Sequence, residues 1–298
     1  MILNSGNLRT LYTSFSTAYQ GGFDGVKPTY QRVAMTVPSS TSSNEYGWLG
    51  QFPRIREWVG DRVVNSLALH DYRIKNKKWE LTIGVKKDNI EDDEVGIFSP
   101  MFQEIGRATA SFPDELVWPF LAAGVSTPCY DGQFFFDTDH PVLAPDGTVT
   151  SVSNFGGGAG PTWYLLDLSR AVKPIVFQNR RSFDFRRMDA ANDEVVFDRD
   201  EYRYGVDGRN NVGYGFWQLG YASKQTLNAD NFEAALAALT GMKGDYGRPL
   251  GIGASGVTLV VPTSLNGAGR RVVKSTLVNG GESNPWEGAA ELLVSPWL

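Results

Sequence analysis

Hydrophobic and polar positions alternate most cleanly over residues 79–85, where Trp79, Leu81, Ile83 and Val85 share one face and Glu80, Thr82 and Gly84 the other. A period of two predicts a half-buried strand. A weaker alternation over residues 63–74, through Leu67, Leu69, Tyr72 and Ile74, predicts a second strand. The polar Lys75, Asn76, Lys77 and Lys78 between the two runs predict a turn that would pair them as a long hairpin. Asp88, Glu91, Asp92, Asp93 and Glu94 follow, acidic charge placed where the positive end of a helix dipole would start. Then the period changes. Phe98, Met101, Phe102, Ile105, Ala108, Phe112, Leu116 and Phe120 recur every three or four positions. They predict a spine helix of some 25 residues, about 38 Å long, with bends at Pro113 and Pro119. Ser99 and Ser111 are placed to start shorter helical pieces. A two-stranded hairpin is marginal alone in water, so its Trp79 face needs cover, from the rest of the chain or from a neighbouring copy.

The remaining pattern is α+β. Leu8, Leu11, Phe15 and Tyr19 have helical spacing that Gly21-Gly22 would close, giving a helix docked on its own core or an arm lying on a neighbour. The polar residues 36–44 form a break at which such an arm could hinge. Phe134, Phe135 and Phe136 predict a short buried strand or edge; further short strands are expected at 175–177, 195–197, 202–206, 257–261 and 290–294. Residues 230–239 predict a helix with an Asp230/Glu233 capping pattern, a Phe232, Leu236, Leu239 stripe and Gly241 at its end; another helix is expected across 265–277. Neither an internal repeat nor a linker long enough to separate independent domains is evident.

At 298 residues and 42% hydrophobic content the chain can bury a sizeable core, as one large domain or two intimately joined ones. Its 28 basic and 33 acidic residues give a net charge of -5, which excludes a broad basic surface of the kind that grips a duplex. Cys129 is the single cysteine, so no internal disulfide forms, and this suits a reducing cytosol. The first residues lack a cationic start followed by an apolar core, and no apolar run reaches the roughly 18 residues of a membrane span.

Chemistry is sparse. Asp137, Asp139 and His140 could suggest a metal or a general base, yet only one other histidine exists, His70, and neither has a helical partner at the right spacing; a turn after a strand accounts for them. Gly156–Gly160 lacks the Lys-Ser/Thr of a phosphate loop and reads as a flexible loop or insertion. Gly251, Gly253 and Gly256 spell a dinucleotide fingerprint but precede a strand instead of following one. Arg180, Arg181, Arg186 and Arg187 lie beside Asp184 and Asp189, which points to an ion-paired face, with contact to another subunit or to DNA as the minority reading. No catalytic residue, cofactor or metal is expected.

The order W-V-G-D, hairpin, I-E-D-D, long helix, L-A-A-G resembles the extended loop and spine helix of the tailed-phage major capsid fold of the Hong Kong 97 type. FFDTDHP at 135–141, WYLLDLSRAVKPIVFQNR at 163–180, YGVDGRNNVGYGFWQ at 204–218, LVVPTSL at 259–265 and SNPWEGAAELLVSPWL at 283–298 are similar to the major head subunit of Mu-like phages and prophages. They are spread over most of the chain, in order. The resemblance implies an N-terminal arm (1–56), an extended hairpin loop (57–88), a peripheral domain with the spine helix (89–150), a mainly axial domain (151–282) and a C-terminal strand (283–298) whose domain stays open. It implies a subunit that joins copies of itself, as hexamers and pentamers, into an icosahedral shell enclosing double-stranded DNA, in the virion and earlier in the bacterial cytoplasm. A portal and no membrane contact are implied as well. The roughly 57 residues ahead of the hairpin are not strongly charged, so a separate scaffold protein is implied too. The expected inter-subunit residues are Tyr72, Ile74, Lys75, Asn76, Lys77, Lys78, Trp79, Leu81, Ile83 and Val85. Phe98, Phe102, Ile105, Phe112, Leu116 and Phe120 form the expected spine face. Some relatives with this fold crosslink neighbouring subunits through lysine and asparagine side chains, residue types that Asn76, Lys75, Lys77 and Lys78 supply, although lysines are expected at an exposed turn in any case. An encapsulin-like compartment shell is the alternative, and a hydrolase centred on Asp137, Asp139 and His140 a more distant one.

Overall fold

The first helix, Ser5–Asp24 (α1), runs straight through Gly21 and Gly22 instead of stopping there. In this computed structural model, which describes residues 5–49, 72–92, 94–144, 146–190, 193–253 and 256–298, α1 lies on its own chain's spine helix. Leu11, Phe15 and Tyr19 are buried by that contact. The two helices touch through glycine: a methyl group on Gly22 would overlap the Gln103 carbonyl, and one on Gly106 the Tyr19 carbonyl. The arm expected from the sequence is, over this helix, part of its own subunit's core.

A four-residue helix, Tyr30–Val33 (α2), leads into Ala34–Pro38 (β1), Ser43–Glu45 (β2), Arg73–Lys75 (β3) and Lys77–Lys86 (β4). Next come Lys87–Glu91 (α3) and the spine helix Ser99–Ala122 (α4), which continues through Pro113 and Pro119 as one 24-residue element. Ser99 does not cap it, and Ser111 starts nothing, its hydroxyl donating to the Ala108 carbonyl at 3.3 Å. Beyond it lie His140–Leu143 (β5), Val149–Val152 (β6), Phe155–Gly158 (β7), Trp163–Asp167 (β8), Ile175–Met188 (β9), Glu194–Arg199 (α5), Glu201–Tyr214 (β10) and Gly220–Lys224 (β11). The last part holds Ala229–Thr240 (α6), the short ladder of Lys243–Gly244 (β12) with Arg248–Pro249 (β13), Val257–Pro262 (β14) and Asn266–Val273 (α7). A second short ladder, Leu277–Val278 (β15) with Glu282–Ser283 (β16), precedes the final strand Glu291–Ser295 (β17).

Two sheets organise these elements. One has four strands in the order β1-β9-β10-β4, with β1 parallel to β9 and the other pairs antiparallel. The other has five, β17-β14-β8-β11-β7, around the wholly buried β8. The expected C-terminal strand is thus β17, placed at an edge of the five-stranded sheet and parallel to β14.

There are two cores, and the four-stranded sheet contributes to both: β1, the start of β9 and the end of β10 join the larger one. Around the four-stranded sheet, Leu11, Phe15, Tyr19, Val85, Ile90, Phe102, Ile105, Tyr202 and Tyr204 pack together. The larger cluster gathers Val117, Trp118 and Leu121 with Phe135, Phe136, Trp163, Trp217 and the interior of the five-stranded sheet. The spine helix therefore serves both: its first half faces the smaller core, its second half the larger. Of the expected spine face, Phe102 and Ile105 are buried, whereas Phe98, Phe112, Leu116 and Phe120 are only half-buried. Val117, Trp118 and Leu121 take the interior instead. Neither core is a contiguous stretch of sequence, so the expected division at residues 89, 151 and 283 does not follow the packing.

Several local expectations need correction. Residues 195–197 lie in α5 and form no strand. Phe135 and Phe136 are buried without joining a ladder, and Phe134 is exposed. Asn228 caps α6 by accepting from the Asn231 N–H at 2.9 Å, in place of the Asp230/Glu233 pattern. Helix α7 ends at Val273, short of residue 277. Gly156–Gly158 belongs to edge strand β7, where Gly158, at φ +99°, sits so tightly on the Lys224–Gln225 backbone that a side chain has no room. Gly251, Gly253 and Gly256 do precede strand β14, as the rejection of a nucleotide loop requires.

Asp114 shows how α4 holds the chain entering the first sheet. Its side chain is buried and accepts from the N–H groups of Thr29 (3.0 Å) and Tyr30 (2.6 Å), satisfying donors at the start of α2. Thr29 in turn accepts from the Trp118 indole at 3.1 Å. Replacing Asp114 by alanine strands these donors and is expected to cost about 1–3 kcal/mol. Denaturant unfolding of the purified subunit reads this directly; an unchanged midpoint would show that the cap carries no weight.

Candidate assembly surface

Strand β4 was expected to pair with residues 63–74 and to leave its apolar face open. Instead it pairs antiparallel with β10, Trp79 opposite Gly208 and Ile83 opposite Tyr204. Most of the earlier partner, residues 63–71, lies outside the described residues; Arg73–Lys75 pairs with Ser43–Glu45. The physical reason is reach. A ten-residue strand gains more from a fourteen-residue partner that also packs against a helix than from a solitary hairpin.

The expected turn does not form either. Asn76 is buried, donating to Ser39 Oγ and to the Thr41 carbonyl at 2.9 Å each and accepting from Gln178 Nε2 at 2.9 Å. A carboxamide so occupied is not available for crosslinking. The same bonds tie down the polar break at residues 36–44, as does the Ser39 N–H donating to the Asn179 carbonyl at 3.0 Å.

The ten residues expected at an inter-subunit surface therefore divide. Ile74, Asn76 and Val85 are interior to their own chain. Tyr72, Trp79 and Ile83 are half-buried. The Tyr72 hydroxyl accepts from the Tyr214 N–H at 2.7 Å, and burial pushes its pKa up to about 12. Trp79 lies edge-on to Phe112 of α4, 5.0 Å between centroids, and donates to the Asn210 carbonyl at 3.2 Å. Only Lys75, Lys77, Lys78 and Leu81 are exposed. Leu81, 39% accessible, is the apolar one among them.

What β4 does present is an edge. It is the outermost strand of its sheet, and among the described residues nothing pairs with its free side. An exposed edge of ten residues is a template for another strand unless it is blocked. Lysines at 75, 77 and 78 guard one end. Two further apolar residues, Ile97 (65% accessible) and Met101 (50%), lie open where α4 begins. Sequence periodicity pointed to the spine as uniformly buried and so missed them; the signal was that Met101 directly precedes Phe102, and both cannot face one core.

Three of the four clustered arginines are ion-paired. Arg181 meets Asp207, Arg186 pairs with Asp184 at 3.1 Å, and Arg187 with Asp189 at 3.3 Å while also lying over the Tyr12 ring.

Asp137, Asp139 and His140 are not brought together. Asp137 accepts from the backbone N–H of Phe134 (3.1 Å) and Thr138 (2.7 Å), and Asp139 is exposed. His140, wholly buried, points its Nδ1 at Asp131 Oδ2, 2.7 Å away, and stacks on Trp217 at 3.9 Å. The Cys129 thiol lies 3.0 Å from Asp131 Oδ1. Burial, and then the adjacent Asp131, pushes that thiol far above its ordinary range. Burial would also raise Asp131, but the hydrogen bonds from His140 and Cys129 outweigh it and hold this carboxyl below its usual value. No helix among the described residues is long and apolar enough to cross a membrane.

Residues 8–298 match the family described as the Mu-like prophage major head subunit gpT. The chain belongs to the Mu-like major head subunit family. It is 40% identical, over the full length of both chains, to the major capsid protein of Escherichia phage Mu. Against the procapsid chain of bacteriophage JBD30 it is 46% identical, with a TM-score of 0.86 covering 99% of this chain and 100% of that one. Against the JBD30 capsid chain the values are 33% and 0.76, with 100% and 99% covered. This head subunit is thus a major capsid protein of the Mu-like kind, with the α+β capsid fold expected for it.

Proposed function

We propose that copies of this head subunit join as hexamers and pentamers into an icosahedral shell that encloses double-stranded DNA, with no catalytic role. Full-length similarity to chains of assembled phage heads carries this reading. The net charge of -5 and the ion-paired arginines support enclosing DNA over gripping it. Assembly takes place in the bacterial cytoplasm, with a separate scaffold protein and a portal, and the product is the virion. The unit of α1, the first half of α4 and the four-stranded sheet is the peripheral part. The unit built on the five-stranded sheet is the axial part, and residues near 57–88 supply the extended loop.

In this reading contacts between copies use the free edge of β4 with Leu81, the exposed member of its apolar face, and the exposed Ile97 and Met101 where α4 begins; Trp79, on the same face as Leu81, is held by Phe112 of its own chain. Each contact is weak alone, and closed symmetry makes the sum decisive. A Leu81→Glu variant separates assembly from folding. Its subunit is expected to unfold within about 0.5 kcal/mol of the parent, as for a surface change, yet to give no closed shells by negative-stain microscopy when co-expressed with its neighbouring genes. Normal shells from that variant would remove the β4 edge from the interface. No shells from the unaltered chain under the same conditions would count against the capsid reading itself.

A further inference from the structure

Outside the assembly surface, one cluster combines three different ligand chemistries. Cys129 Sγ, an Asp131 carboxylate oxygen and a His140 ring nitrogen all lie within 4.8 Å of one another. We propose that Cys129, Asp131 and His140 bind a divalent transition-metal ion, zinc being the one that this thiolate, carboxylate and imidazole set suits best.

Distances fit with little movement. Bonds of about 2.0–2.3 Å in a tetrahedral site place ligand atoms roughly 3.3–3.8 Å apart. Here Asp131 sits 2.7 Å from the imidazole and 3.0 Å from the thiol, so in the metal-free cluster protons hold the separations short. Exchanging them for a metal opens these two gaps by about 1 Å or less and brings the widest separation in the set, within 4.8 Å, down by a similar amount.

The scaffold for such a site is already in place. Gly132, at φ +87°, turns the chain so that the Cys129 N–H donates to the Gln133 carbonyl (2.8 Å) and the Gln133 N–H to Asp131 Oδ1 (3.1 Å). This fixes two ligands on one tight loop. Trp217 fixes the ring plane of the third. His140 Nε2 is buried without a hydrogen-bond partner, so nothing on that side commits the imidazole to one tautomer. Gly132 is exposed and the Asp131 side chain 8% accessible, which leaves a water a path to the fourth position.

The charges balance. In the metal-bound form the ligands are the Cys129 thiolate, whose proton goes to solvent, the Asp131 carboxylate and a neutral His140 bound through Nδ1 with its proton on Nε2. Two anionic ligands neutralise the dication, so no net charge is buried. The ion would pin the loop after α4 to the start of β5, where Trp217 stacks on the histidine ligand.

The test uses untagged full-length protein expressed in medium in which cobalt replaces zinc, which avoids any barrier to entry into a folded site. Expected are about one cobalt per subunit and a near-ultraviolet thiolate-to-cobalt charge-transfer band. Cys129→Ser should abolish the band and His140→Gln should lower the metal content about tenfold or more. Unaltered protein with under about one-tenth cobalt per subunit, or with cobalt but without the thiolate band, overturns the proposal. That reading does not depend on whether the variants fold.

Discussion

Phe102→Ala is expected to destabilise the subunit by about 3–5 kcal/mol, the largest single effect among the predicted substitutions. Phe102 is wholly buried, stacked on Phe15 at 4.0 Å and edge-on to Tyr204 at 5.5 Å and Phe185 at 6.0 Å. Removing the ring takes away the surface on which α1, α4 and β10 all converge. The rings around it, Phe15, Tyr204 and Phe185, are bulky and packed against one another, so they close only part of the cavity. Denaturant unfolding of the unassembled subunit should show a lower midpoint, and shell yield should fall with it. A loss under about 1 kcal/mol would mean that the cavity closes cheaply and that Phe102 does not organise this core.

The second prediction turns on two adjacent glycines. In α1, a methyl group added at Gly21 meets nothing within 4 Å, whereas one added at Gly22 overlaps the Gln103 backbone of α4. Alanine is favoured over glycine inside a helix by about 1 kcal/mol. Gly21→Ala should therefore stabilise by up to that amount. Gly22→Ala should destabilise by about 1–3 kcal/mol or more, because the clash is with backbone, which cannot rotate aside. Gly106→Ala, facing the Tyr19 carbonyl from the other side, should behave like Gly22→Ala. Thermal unfolding of the three variants checks the signs; equal effects at Gly21 and Gly22 would refute the close helix crossing.

Those glycines also show what the sequence conceals. Gly21-Gly22 reads as a helix stop because a stop is the commonest local use of glycine; close approach to another helix is a fact about residues some eighty positions away. Strand β4 was legible from its alternation, but its partner was not. Residues 201–210 alternate only through Tyr202, Tyr204 and Val206 before Gly208 and Asn210 dilute the signal. The spine helix was legible as an element, and its buried face only for the first half. Val117, Trp118 and Leu121 became interior because the second half enters a different core, and a single stripe cannot describe a helix with two neighbours. His140 drew notice for the wrong carboxylates: proximity in sequence favoured Asp137 and Asp139, whereas a glycine turn delivers Asp131. The family resemblance survived these errors because its motifs are spread along the whole chain.

The helix shared by both cores has a mechanical consequence. At 1.5 Å per residue, its 24 residues form a beam about 36 Å long. One end is embedded among Phe15, Phe102 and Tyr204, the other among Trp118, Leu121 and their neighbours. Pro113, near the middle, lacks the N–H that would brace the preceding turn. Tilting such a beam by some ten degrees about one end displaces the other by about 6 Å, so a small rotation where one group of side chains is gripped becomes a large displacement where the second group is.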